Sequence, residues 1–167
     1  YEGVTGQRID PVNPQTYSKG DVIKSYINLE PRVSLRYILN DASSIKASYN
    51  RTTQYLHLIS NTTAATPLDV WQPTTNNIKP ELADQVALGY FRNFKNDMFE
   101  FSVEGFYKKM QNQIDYIDGA EIFLNKNLES ELLFGDARAY GLEFYLKKNT
   151  GKLNGWISYT LSKSERQ

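Results

Sequence analysis

The residues best equipped for chemistry in this sequence are few and scattered. His57 is the one histidine, and the chain has no cysteine. A metal site needs several nitrogen, thiolate or carboxylate donors converging on one point, so a lone imidazole is a poor start, and a solvated or structural role is the better reading. The lack of cysteine removes disulfides, thiolate metal sites and cysteine nucleophiles together. No G-x-S-x-G elbow accompanies His57, so no catalytic triad can be assembled around it. The expectation is a protein that is not an enzyme and needs no cofactor. Asp115, Asp118 and Glu121 near Gly119 suggest calcium, but the alternating-aspartate spacing of a calcium loop is missing, and an Asp-Gly turn explains them better. Asp69 and Trp71 put a carboxylate and an aromatic ring together in one loop. They are the tentative ligand-contact residues, although Pro67 and Pro73 favour a loop-packing role for Trp71. Two N-x-T strings, at Asn50 and Asn61, match a common chance pattern and carry no weight.

What must position such residues is set by composition and periodicity. Lys plus Arg and Asp plus Glu number 19 each. That balance leaves no field to attract nucleic acid. No run of about 18 apolar residues exists, so no transmembrane helix is expected and any membrane crossing must be by strands. The chain holds 12 tyrosines and 8 phenylalanines at a polar mean hydropathy of -0.55. A porin-type strand alternates lipid-facing apolar residues with lumen-facing polar ones, so its average looks soluble while its aromatics gather at the interfaces. The chain begins at Tyr1 without methionine and ends in the polar run 162–167. Such ends read as cuts through a longer polypeptide.

Six segments alternate with period two. From Ile27 to Leu39 the odd positions are apolar, against Glu30, Arg32 and Arg36. Pro31 cannot donate to a ladder and is placed near the outer rim. Ile45 to Asn50 is the second strand, Leu82 to Phe91 the third, and Met98 to about Met110 the fourth. The fifth, Arg138 to Lys148, sets Tyr140, Leu142, Phe144 and Leu146 against polar partners. The sixth, Gly155 to Ser162, does the same with Ile157, Tyr159 and Leu161, and its first residues place Trp156 near a membrane interface.

One face therefore carries Val33, Leu35, Val86, Leu88, Phe101, Val103, Leu142, Phe144, Ile157 and Tyr159. The other carries Arg32, Arg36, Lys46, Glu100, Glu104, Lys108, Glu143 and Lys147, which are expected to neutralise one another or to contact a plug. Connections alternate in length. Residues 40–44, 93–97 and 149–154 are short, whereas about 60–81 and 117–137 are long, so the short turns are assigned to the periplasm. Residues 1–25 read as an outer-loop connection and 26–167 as the strand domain. The predicted fold is all-β, an antiparallel up-and-down transmembrane β-barrel segment. The alternative is a soluble β-sandwich binding or adhesion module, whose apolar faces would pack inward. Charge on the second face and loops beyond about 15 residues weigh against it.

Particular strings add a resemblance. Asn28 to Tyr37 (NLEPRVSLRY), Asn77 to Phe91 (NIKPELADQVALGYF), Phe134 to Lys148 (FGDARAYGLEFYLKK) and Leu153 to Arg166 (LNGWISYTLSKSER) resemble strands of TonB-dependent outer-membrane receptors. Thr66 to Pro73 and Tyr107 to Tyr116 are similar too, so the likeness covers most of the chain after about residue 26. It implies a barrel of about 22 strands with a plugged lumen. It further implies localisation in the cell outer membrane and import of a scarce nutrient such as a metal chelate, vitamin, glycan or peptide. The implied partners are outer-membrane lipid, an N-terminal plug domain of the same parent chain, the TonB complex acting through that plug, the imported ligand and a possible surface lipoprotein. Nucleic acid is not among them.

Overall fold

The computed structural model describes residues 7–8, 22, 24–59, 70–116 and 132–166. Among them are nine strands: β1 (Gln7–Arg8), β2 (Arg32–Asn40), β3 (Ser43–Gln54), β4 (Leu56–Ile59), β5 (Val70–Pro73), β6 (Glu81–Phe94), β7 (Phe99–Tyr116), β8 (Leu132–Lys148) and β9 (Gly155–Arg166). Six long strands form one antiparallel meander in the order β2-β3-β6-β7-β8-β9. β1 also pairs with β8, at Leu133 and Phe134, on the same edge as β9 and just beyond its end. The sheet is open. It is an all-β segment of barrel wall, with β2 and β9 at its margins.

Local chemistry fixes the short turns. Asn40 Oδ1 accepts from the Ala42 amide at 3.0 Å and the Ser43 hydroxyl at 2.8 Å, which closes the first turn as an Asx motif. The second turn takes three left-handed residues in succession, Lys95, Asn96 and Asp97. In the third, Gly151 has φ +113°, a conformation open to glycine and strained for other residues. The turns are stitched together. Asn93 donates its amide to Ala42 O, and Asn149 donates its own to Met98 O, both at 2.8 Å.

Cross-strand register puts every predicted apolar-face residue on one side. Leu35, Ala47, Leu88, Gly105, Leu142 and Leu161 form one row across six strands. The rows beside it hold Val33, Tyr49, Val86, Tyr107 and Tyr140, and Tyr37, Ile45, Tyr90, Val103, Phe144 and Tyr159. No second layer covers this face among the described residues, and Leu88 is 61% exposed. A sandwich would bury this face against a second sheet. The eight steps from Phe99 to Tyr107 in β7 cover about 27 Å at about 3.4 Å per residue. At a tilt of about 40° this is about 21 Å of membrane normal, close to the apolar band of about 25 Å in outer-membrane barrels.

Three features depart from the sequence reading. β2 starts at Arg32 and not at Ile27, because Pro31 interrupts the ladder. Pro31 still accepts the Arg51 amide through its carbonyl at 3.0 Å, and the Glu30 carboxylate takes the Thr53 amide at 2.9 Å. β7 and β8 run far beyond Met110 and Arg138, pairing to Tyr116 and Leu132 through a bulge between Met110 and Gln113. Asn112 sits in that bulge at φ 58° and donates its side-chain amide to Pro80 O at 2.9 Å. Inside the expected 60–81 loop, β5 pairs with β4 as a separate hairpin. Trp156 lies opposite Lys147 and stacks on Tyr145, on the polar side of its strand that the alternation gives it.

Candidate functional site

Two regions carry the polar groups that a transporter wall would use: the hairpin at the long-loop end and the polar face of the sheet. The hairpin is short because only four residues of each strand pair, with one further bond from the Thr74 amide to Tyr55 O at 2.9 Å. Alternation divides its side chains. His57 pairs with Gln72 on one face, whereas Leu58 pairs with Trp71 and Leu56 with Pro73 on the other.

His57 is 2% exposed, with its Nδ1 3.5 Å from Glu81 Oε1 and neither ring nitrogen in a hydrogen bond. Glu81 is held from the other side by the Gln113 amide, which donates to Oε2 at 2.9 Å. Burial pushes the imidazole below its ordinary value of 6.5, and the Glu81 carboxylate offsets only part of that effect. A neutral, buried ring is the structural histidine that the sequence favoured. It anchors the hairpin to the base of β6.

Trp71 behaves otherwise. At 62% exposed, beside exposed Leu56 and Leu58, it is not packed into the loop as the flanking prolines suggested. Asp69 lies outside the described residues, as do Asp118, Gly119, Glu121 and the Asn61 string. Asp115 pairs with Arg166 at 3.1 Å. Among the described residues no group of three His, Asp or Glu side chains could hold a metal. Sequence reasoning missed Glu81 and Gln113, whose partnership with His57 depends on register at the outer end of β6 and β7.

On the polar face the expected neutralisation is incomplete. Lys147 Nζ lies 3.9 Å from Glu100 Oε2. Glu104, however, is directly opposite Glu143, and Arg36 directly opposite Lys46. One row thus reads Arg36, Lys46, Gly89, Glu104, Glu143, with cations at one end and carboxylates at the other. Arg36 donates to Ser44 Oγ at 3.2 Å, and Lys46 lies 4.3 Å over the Phe91 ring. Like charges directly opposite destabilise a sheet. The single-strand pattern could not show this, because it does not fix which residues face each other.

A lipid-facing apolar band, a charged inner face, short turns at one end and an anchored hairpin at the other define the wall of an outer-membrane β-barrel. The family model for the TonB dependent receptor-like β-barrel matches residues 4–167. The chain belongs to this family, one of outer-membrane receptors and transporters and not of enzymes. No curated protein matches it.

Proposed function

We propose that this chain is the wall and part of the outer vestibule of a receptor that imports a scarce, bulky nutrient across the cell outer membrane, with energy from the TonB complex acting through a plug domain of the same parent chain. Residues 1–25 would serve as an outer-loop connection and 26–167 as the strand domain. The loops about 60–81 and 117–137 would capture the ligand, with Asp69 and Trp71 as first contacts. The exposure of Trp71 on an anchored hairpin is the observation that carries this part of the reading. An aromatic ring held at a loop end gives a stacking surface at little entropic cost on binding. Metal chelates, vitamins, glycans and peptides are the substrate classes, and a surface lipoprotein is a further partner at this end.

Envelope fractionation of the full-length receptor, with gel mobility compared before and after boiling, tests the location. An outer-membrane band that runs faster unboiled supports it, and a soluble protein without the shift contradicts it. Growth on single scarce nutrients, with wild type compared against Trp71→Ala, then tests the capture role. Selective loss of uptake of one substrate class supports it, and unchanged uptake of every class removes Trp71 from the site.

A further inference from the structure

The apolar face is not uniform. Where Gly105 replaces a side chain in the row between Leu88 and Leu142, the surface sinks into a groove of about 770 Å³. Its walls are Val86, Leu88, Tyr107, Tyr140, Leu142 and Leu161, the side chains of two neighbouring rows, so it opens toward lipid and not toward the lumen. The Tyr107 and Tyr140 rings, 6.5 Å apart and nearly parallel, form its outer shoulder. A Cβ at Gly105 would stand 3.3 Å from Leu142 Cδ2, which shows how close the floor lies to its wall. The volume falls within the range of about 300–1,000 Å³ typical of small-molecule sites.

Immediately outward of the tyrosines the same face turns charged. Arg51, Asp84, Lys109, Arg138 and Glu165 occupy one cross-strand row, and Lys163 projects from the row below, on the rim of the groove. Four cations meet two carboxylates. Arg51 grips Asp84 through Nε at 2.7 Å and Nη2 at 3.0 Å. Arg138 and Lys163 share Glu165. Lys109 is exposed and stands opposite Asp84 in this row, with no ion pair within 4 Å among the described residues. With Asp136 next outward of Arg138 on β8, a surplus of one positive charge lies at the outer mouth of the groove, where a lipid headgroup would sit while its chain ran down over Gly105.

The geometry points to a binding site for one phosphate-bearing, anionic lipid of the outward-facing leaflet, with its acyl chain in the Gly105 groove and its phosphate on Lys109, Arg138 and Lys163. Chain and headgroup positions follow the direction in which apolar and charged rows succeed each other, and the local positive charge selects anionic over zwitterionic headgroups.

Native mass spectrometry of the full-length receptor, titrated with phosphatidic acid and phosphatidylcholine of equal chain length, tests the site. Wild type should retain one phosphatidic acid in preference to phosphatidylcholine. Lys109→Gln and Lys163→Gln should each lower that preference about fivefold. Gly105→Leu, which fills the floor in a strand that accepts branched side chains, should lose retention of both lipids while keeping the heat-modifiable gel band of a folded barrel. Equal retention of the two lipids by wild type, or retention unchanged in a folded Gly105→Leu receptor, would overturn the assignment.

Discussion

The Tyr49 hydroxyl donates to Asp84 Oδ1 at 2.7 Å, from the last aromatic row of the lipid face into the first charged one. The ring stays with Val33 and Val86 in the apolar band while its oxygen reaches the carboxylate that Arg51 also holds. This bond marks the level at which the hydrocarbon band ends on the outer side. An amphipathic ring at such a boundary satisfies both media at once.

Removing only that hydroxyl isolates its contribution. Tyr49→Phe is expected to lower barrel stability by about 0.5–1.5 kcal/mol, because the ring keeps its packing. Urea unfolding of the receptor in lipid vesicles, followed by gel mobility, measures the difference.

The two faces should respond oppositely to one charge. Leu88→Arg places a guanidinium one row inside the outer edge of the band, between midplane and interface, and is expected to cost about 1–3 kcal/mol. Ser48→Arg, one strand away and on the opposite face, has a wet lumen to enter and should cost far less. The same unfolding assay compares the pair.

Relief of the carboxylate pair should be visible as well. Glu143→Gln removes the repulsion with Glu104 across the ladder and is expected to raise the stability of the strand array by about 0.2–1 kcal/mol. Loss of stability in the full-length receptor would instead mean that a cation of the plug occupies this pair, and comparison with a plug-deleted receptor distinguishes the two.

The hairpin carries a pH dependence of definite sign. Burial holds the His57 imidazole below its ordinary value, so the released hairpin binds a proton more readily than the docked one. Docking is therefore fully stable above about pH 6.5 and weakens as pH falls through and below that value. Trp71 and Trp156 are the two tryptophans. In a receptor in which Trp71 is the one tryptophan left, by Trp156→Phe and replacement of every tryptophan outside this chain, its fluorescence should shift on acidification, and His57→Phe should remove the pH dependence.

How much of this was legible in the sequence depends on what each signal encodes. Period-two alternation exposed the long strands because lipid and lumen impose opposite demands on successive residues, and every apolar-face residue from Val33 to Tyr159 follows it. The outer half of β7 escaped because the bulge at Asn112 shifts the phase. Lys108 and Met110 share the lumen side with Gln113 and Asp115, so a strict even-numbered pattern ends there. Alternation showed β8 only from Arg138 because Gly135 and Asp136 carry no apolar side chain to mark a face, although the string from Phe134 already resembled a strand. β4 and β5 are too short for periodicity to register. The opposition of Glu104 to Glu143 and the groove at Gly105 are properties of register between strands, which no single strand contains.

The central claim, that these strands cross a bilayer with one face to lipid and the other to a wet lumen, is tested most directly along β7. This chain contributes no cysteine, so in a full-length receptor with every cysteine outside it replaced, single cysteines at successive positions from 100 to 108 each carry a unique nitroxide label in lipid vesicles. The account predicts period-two collision profiles, with oxygen favoured at Phe101, Val103, Gly105 and Tyr107, and a water-soluble nickel chelate favoured at Glu100, Ser102, Glu104, Phe106 and Lys108. Profiles without alternation, or with the two sets exchanged, would contradict it.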